Sequence, residues 1–336
     1  MSTYDFGSYA FIVDYVHLTF LIGIVAGVFY FRSRQVSLGG SLAVGYLAAS
    51  LYKPLDVLAT LAVALLSYVV IRYCILKIWL PRPRQIFAIG LIVGIIGGGL
   101  WMLGTYLILG HERASDSLAL VGIIIPGMIC NSLVKQGVSR TLTPLVIFVP
   151  AVGLVGLALT LLTTTLLPTS LSASLFGVSD RPATVLFAGA AVSVITALLL
   201  QQGTAGSWQL RTGGYVTMGM IVASVTHPQY LAVLALTALL LVLIFTPYAR
   251  RVPLFGKDRF LVLAMLSFFL VTAMEIAAVS FTGVRFGGAE NIVFCILPAI
   301  IANDIIQYGL KRTAGGMTLA AAASLVVVGP LSMALS

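Results

Sequence analysis

One block of this chain returns in its second half with the spacing intact. Gly39-Gly40-x4-Gly45-x3-Ala49-Ser50-x3-Pro54 recurs as Gly213-Gly214-x4-Gly219-x3-Ala223-Ser224-x3-Pro228, each matched residue 174 positions on. A second block, Pro126-x2-Ile129-x-Asn131-x5-Gly137-x2-Arg140-Thr141, recurs as Pro298-x2-Ile301-x-Asn303-x5-Gly309-x2-Arg312-Thr313, 172 positions on. Two blocks in one order at nearly one offset read as a tandem duplication. The fold must therefore be one unit used twice, residues 1–167 and 183–336. Residues 168–182 (PTSLSASLFGVSDRP) carry the turn residues of a linker.

Each unit reads as long, short, long, long, short, long apolar runs. The long runs are roughly 11–31, 55–79, 86–109 and 142–167, then 183–202, 231–249, 260–281 and 316–334. The short Gly-rich runs are 38–51, 118–134, 213–226 and 291–307. With 60% hydrophobic and 9% charged residues, too little polar surface exists to cover a water-facing globule, whose charged share is about 25%. This excludes a soluble enzyme, a secreted disulfide scaffold and a disordered tail, and leaves no room for a separate catalytic domain. The fold class is an all-α integral membrane protein.

Charge placement decides how the short runs are used. If they cross, fifteen basic residues share one side: Arg32, Arg34, Arg72, Lys77, Arg82, Arg84, Lys135, Arg140, Arg211, Arg250, Arg251, Lys257, Arg259, Lys311 and Arg312. Only Lys53, Arg113, Arg181 and Arg285 lie opposite. Basic loops stay in the cytoplasm, so about 12 membrane segments are expected, both termini outside. Most of the net charge of +9 is then orientation and no sign of nucleic acid. Six segments per unit is even, so the two repeats are parallel and related by a pseudo-two-fold along the membrane normal. The short runs are too short to cross about 30 Å of hydrocarbon as full helices. They are read as half-helices broken at Gly and Pro (Gly45, Pro54, Pro126, Gly127, Gly219, Pro228, Pro298) and shielded by the long ones.

Motifs for nucleotide, zinc or redox chemistry are absent, and no metal site or cofactor is expected in this chain. Cys74, Cys130 and Cys295 are expected to be buried free thiols. Asp14 and His17 share a helical face near the outer end of the first span, as an interfacial pair or a proton relay. Glu275 is the one deep carboxylate, a functional candidate by default, with a structural hydrogen bond to a neighbouring span as the alternative. Pro126-Gly127 should break or kink its short span. Asn131 then caps freed backbone groups or meets an amide-rich ligand. Lys135, Gln136 and Arg140 follow towards the cytoplasm, and Asn303, Lys311 and Arg312 repeat the arrangement. Either these residues only cap and set topology, or they make a cationic inner mouth.

The stretches Gly40-x4-Gly45-Tyr46-Leu47-Ala48-x5-Pro54 and Gly122-x3-Pro126-Gly127-x3-Asn131-x4-Gln136-Gly137 resemble the PgsC/CapC family, the membrane subunit of the bacterial poly-γ-glutamate synthesis complex. The likeness is fuller over residues 1–165 than over 180–336. A typical member is about the length of one unit, so this chain resembles a duplicated form. Its second copy has drifted, with Ala299 for Gly127 and Tyr308 for Gln136. The resemblance implies a cytoplasmic ATP-dependent amide ligase (PgsB/CapB type) as partner, with ATP and Mg on that ligase. It implies poly-γ-glutamate as the polymer, membrane lipid around the chain, and a place for an extracellular accessory subunit. This chain would anchor the ligase and help the polymer cross, without being catalytic alone.

A polyanion leaving a ligase needs cationic guidance. Asn131, Lys135, Gln136, Arg140, Asn303, Lys311 and Arg312 are therefore the expected polymer path or ligase dock, between the two units. Two rival readings stay open. One is a secondary transporter of a small organic anion, proton-coupled through Glu275; the other is an anchor that never conducts.

Overall fold

The structure, a computed structural model, describes residues 8–78, 83–109, 121–166, 170, 175–177, 183–202, 208–225, 228–252, 254, 256–283, 285–287 and 291–335. In the first half, α1 spans Tyr9–Arg34, α2 Ala43–Ala49 and α3 Pro54–Val69. A π-helical turn at Val70–Ile75 carries α3 on through Leu76–Ile78. Then come α4 (Pro83–Leu109), α5 (Val121–Gln136) and α6 (Val138–Leu166). In the second half, α7 spans Ala183–Gln202, α8 Thr217–Val222, α9 Pro228–Arg251 and α10 Gly256–Thr282. The half ends with α11 (Asn291–Phe294), α12 (Leu297–Tyr308) and α13 (Leu310–Leu335). Among the described residues the only strand pairing is a two-residue parallel bridge, β1 (Phe176–Gly177) with β2 (Phe286–Gly287).

Eight helical stretches among the described residues are long and apolar enough to cross a bilayer, and Val185–Gln201 is a shorter apolar one. Their outward faces are apolar, with Phe29, Ile108, Phe281 and Val326 standing out, as a lipid-facing surface requires. Several hydroxyls inside these helices fold back onto their own backbone: Thr60, Ser67 and Thr160 each donate to the carbonyl four residues earlier, at 2.7–2.8 Å, which keeps those hydrogens bonded within the helix.

Packing repeats along with the sequence. In the first half α1 packs on α2 and α6, and α3, α4 and α5 pack on one another; α5 also meets α6. In the second half α7 packs on α8 and α13, α9, α10 and α12 form the second group, and α12 meets α13. Between halves, α1 packs on α10 and α7 packs on α4. Since α7 stands where α1 does and α10 where α4 does, the interface exchanges equivalent elements, as a two-fold relation demands.

The diglycine segments combine an extended leg with a short helix. Residue Ser37 meets Gln136 at one end of the bundle, whereas Leu51 and Tyr52 lie beside Phe11 and Ile12 near the start of α1. The chain between them therefore runs from one end of the bundle to the other on an extended leg and a seven-residue helix. An ideal seven-residue helix is only about 10 Å long. Gly45 allows the close crossing: a Cβ on Gly23 of α1 would collide with the Gly45 Cα. Gly219 of α8 meets Gly189 of α7 in the same manner.

Two expectations are corrected. Pro126-Gly127 does not interrupt its segment, since α5 is helical from Val121 to Gln136 with Pro126 inside it. Asn131 accordingly lies within a helix and caps nothing. Only the second copy breaks, at Cys295–Ile296 just ahead of Pro298, where Ser267 Oγ donates to the freed Cys295 carbonyl at 2.6 Å. That hydroxyl supplies the hydrogen bond that the interrupted ladder lacks, so the break is tolerated. Cys130 and Cys295 are buried free thiols, but Cys74 is exposed on the outward face of the π turn.

Candidate functional site

The repeated sequence blocks meet at the end of the bundle where Arg32, Arg34, Lys135, Lys257 and Arg312 cluster. Each diglycine leg lies across the corner between two helices. Gly39 (φ 68°) and Gly40 (φ 134°) sit against Leu145 and Met128, at the α5–α6 corner turned by Gly137 (φ 88°). Gly213 (φ 65°) and Gly214 (φ 116°) sit against Met317 and Ile300, at the α12–α13 corner turned by Gly309 (φ 88°). Leu145 and Met317, like Met128 and Ile300, are 172 positions apart. The same left-handed backbone thus meets the same neighbours twice.

What ties each leg to its corner differs. In the first half the Ser37 N–H donates to Gln136 Oε1 at 2.7 Å, and Gln136 Nε2 donates to the Ser37 carbonyl at 3.2 Å. The equivalents of Ser37 and Gln136 are Arg211 and Tyr308. Here the Arg211 guanidinium stacks 3.9 Å from the Tyr308 ring centre, and the Arg211 N–H donates to the Arg312 carbonyl at 3.1 Å. The change at Tyr308 is therefore one side of a paired replacement, in which an amide clamp becomes a cation on an aromatic face.

Around Arg211 the second half builds a closed polar network. Arg211 Nη1 donates to Gln201 Oε1 at 2.8 Å, and Gln201 Nε2 donates to Thr212 Oγ1 at 3.0 Å. The Asp304 carboxylate accepts from the backbone N–H groups of Gly213 and Gly214, with Arg211 and Arg259 close by. Arg259 of α10 donates through Nε to Asn303 Oδ1 and through Nη2 to Gln307 Oε1, both at 3.0 Å. Asn303 is thus a partner of a cation.

Among the described residues the first half has no such network. Ser132 stands where Asp304 does, and Lys135 where Gln307 does. Asn131 Oδ1 is buried without a hydrogen-bond partner among the described residues. Lys135, one helical turn beyond Asn131, has no oppositely charged partner among them. The charge that it meets is Lys257 of α10, from the other half. Lys257 lies 5.6 Å from the Phe31 ring centre, and Arg32 is 3.6 Å from Asp258. Arg140, Lys311 and Arg312 are exposed on the rim.

Other expected sites lie elsewhere. Glu275 is 1% exposed and accepts from Asn291 Nδ2 at 2.6 Å, while Glu275 Oε2 and Asn291 Oδ1 have no partner among the described residues. The structural alternative for Glu275, a hydrogen bond to a neighbouring segment, is present. His17 binds the Val13 carbonyl through Nδ1 at 2.8 Å and stacks on Phe176 at 4.7 Å, while Asp14 accepts from Ser170. At the same end a cavity of about 450 Å³ is lined by Phe11, Tyr15, Leu51, Tyr52, Pro150 and Leu157. His111 and Arg113, along with His227, lie outside the described residues.

Sequence reasoning reached Asn131, Lys135, Gln136, Asn303 and Arg312 but missed Ser37, Arg211, Lys257, Arg259 and Asp304. A signal existed for Arg211: read together, Ser37→Arg211 and Gln136→Tyr308 change both sides of one contact.

Comparison with known proteins follows the same division. The family model for capsule biosynthesis CapC matches residues 22–142 and 196–314. These stretches begin 174 and end 172 positions apart, the offsets of the two repeated blocks. The chain is 29% identical over 126 residues to the PGA biosynthesis protein CapC of Bacillus subtilis (strain 168), covering 38% of this chain and 83% of that one. It is 25% identical over 127 residues to the capsule biosynthesis protein CapC of Bacillus anthracis, with the same coverage. No solved structure matches the chain. With the model spanning most of both halves, the chain belongs to the CapC family of capsule biosynthesis proteins.

Proposed function

We propose that this multi-pass membrane protein is the membrane subunit of a poly-γ-glutamate synthesis and export complex. It anchors a cytoplasmic ATP-dependent amide ligase, which holds the ATP and Mg, and helps the anionic polymer cross. The basic end of the bundle faces the cytoplasm of a bacterial inner membrane, and the segments make twelve crossings in two duplicated units with both termini outside. The single observation that carries the reading is the repeated leg-on-corner site. The repeated glycines around Gly40 and Gly137 and around Gly214 and Gly309, all within the stretches that the family model matches, fold together at an end of the bundle rich in cations. The name of the Bacillus subtilis relative supplies the product class. A chain of carboxylates released beside such a surface is drawn to it by Coulomb attraction over about 8–10 Å at physiological salt.

The test is a triple variant, Lys135→Gln with Arg140→Gln and Arg312→Gln, expressed with the neighbouring ligase. Surface polymer is expected to vanish while the protein stays in the membrane fraction. Unchanged surface polymer sinks the export reading. A ligase that leaves the membrane together with the polymer would make this face its dock.

A further inference from the structure

We propose that the first half holds one membrane phospholipid away from the basic end: an acyl chain enters the cavity beside α1, and the headgroup rests on Lys53 and Asp56. The inference is independent of the polyanion reading, since it uses no residue of the basic end. The cavity, about 450 Å³, lies between α1, the turn into α3 and α6. That volume is in the range of small-molecule sites. It follows α6 from Pro150 to Leu157, about 10 Å at the rise of an α-helix, a length that an extended hydrocarbon chain can fill. Among the described residues its lining carries no charged or amide side chain. The Tyr15 hydroxyl in its wall already donates to the Ala48 carbonyl at 2.9 Å. A polar ligand would lose its hydration there with nothing in return, and water is poorly held between such walls.

The cavity opens towards lipid. Tyr52, Pro150 and Leu154 at its mouth are exposed, whereas Phe11 and Tyr15 behind them are buried. An acyl chain can therefore enter sideways from the bilayer. The hydrophobic effect gives it no reason to leave the surrounding lipid; packing does, because an unfilled cavity leaves its lining atoms without contact partners.

Charge at the mouth selects the headgroup. Lys53 Nζ is 5.7 Å from the centre of the Tyr52 ring. Asp56 follows one turn on, its N–H donating to the Lys53 carbonyl at 3.1 Å. A headgroup with both a phosphate and an ammonium offers an opposite charge to each, whereas a purely anionic one meets Asp56 as a like charge. Exposed Tyr9 and Tyr52 are the residue type that marks headgroup level. The walls are not duplicated. Gly153 leaves room for Leu51, whose Cδ1 a Cβ there would strike, but its equivalent is Leu325, and Tyr15, Pro150 and Leu157 become Gly189, Ala322 and Gly329. One lipid per chain is therefore expected.

The experiment titrates the full chain, stripped of lipid in detergent, with phosphatidylethanolamine, and follows it by native mass spectrometry and thermal unfolding. The wild type is expected to retain one lipid per chain and to melt at a higher temperature as lipid is added. Leu157→Trp fills the cavity and is expected to weaken that binding at least about tenfold. Val326→Trp, on an outward face of α13, is expected to change it less than about twofold. Lys53→Gln leaves the cavity untouched and should weaken binding about threefold, which tests the site even where the tryptophan impairs folding. Asp56→Asn should abolish the preference over phosphatidylglycerol. Binding unaffected by Leu157→Trp, or several lipids held with one affinity, would overturn the acyl-chain site. Tighter binding of phosphatidylglycerol than of phosphatidylethanolamine by the wild type would overturn the headgroup assignment.

Discussion

At residue scale, the cations of the basic end differ in what they touch, and position in sequence does not reveal which is which: Arg211 and Arg259 are bonded to neighbouring amides, whereas Lys135 meets no opposite charge among the described residues. Lys135 was legible because it follows the repeated Asn131. Lys257 and Arg259 read only as basic residues of a short connection, since topology alone accounts for them. Their partners lie on α1, α5 and α12, and only tertiary packing joins these elements. Glu275 shows the reverse case. A lone intramembrane acid suggests proton coupling, yet its Oε1 is bonded to Asn291 and its surroundings are closed. Glutamine at 275 keeps an acceptor for Asn291 Nδ2 and adds an NH2 that can serve the Asn291 oxygen. Glu275→Gln should thus leave polymer export and the unfolding temperature unchanged. Glu275→Leu strands a buried amide and should cost about 1–3 kcal/mol, read by thermal unfolding in detergent. Loss of export in the Gln variant, with the fold intact, would favour the proton-coupled reading instead.

At element scale, the sequence announced broken segments but not where the break falls. Proline marked the wrong place in the first copy, because α5 continues through Pro126. In a helix packed closely against α4, that backbone is held in place from outside. The diglycine legs were visible as repeated Gly39-Gly40 and Gly213-Gly214, and their physical need is now plain: positive φ beside a packed side chain. A Cβ at Gly39 would lie 2.8 Å from Leu145 Cδ1 and would also sit in the left-handed region. Gly39→Ala should therefore destabilise the protein by about 1–3 kcal/mol. Gly104, in the body of α4, has open space around its Cα, so Gly104→Ala should be neutral or better. A pair of melting curves separates the two, and equal effects would mean that the leg is not held against its corner.

At the scale of the whole molecule, the repeat predicted two related units, and the exchange of α1·α10 for α7·α4 is the pairing that a two-fold relation between them requires. Which helices meet was not legible, because lipid-facing and partner-facing sides of an all-apolar helix carry the same residues. The relatives match one half's length of this chain, about 126 residues. A fusion frees each copy from serving both places, and the divergence at Ser37/Arg211 and Ser132/Asp304 uses that freedom. The covalent link itself should then be dispensable. Ser170 bonds to Asp14 of the first half, while Phe176–Gly177 pairs with Phe286–Gly287 of the second, so a cut between residues 170 and 175 leaves each half its own contacts. Co-expressed as two chains, the halves should copurify and restore surface polymer. Two copies of the second half alone should give none, because every seam would then present Gln307 and Asp304 where Lys135 and Ser132 belong. Polymer from the second half alone would show that the first copy is not needed for export.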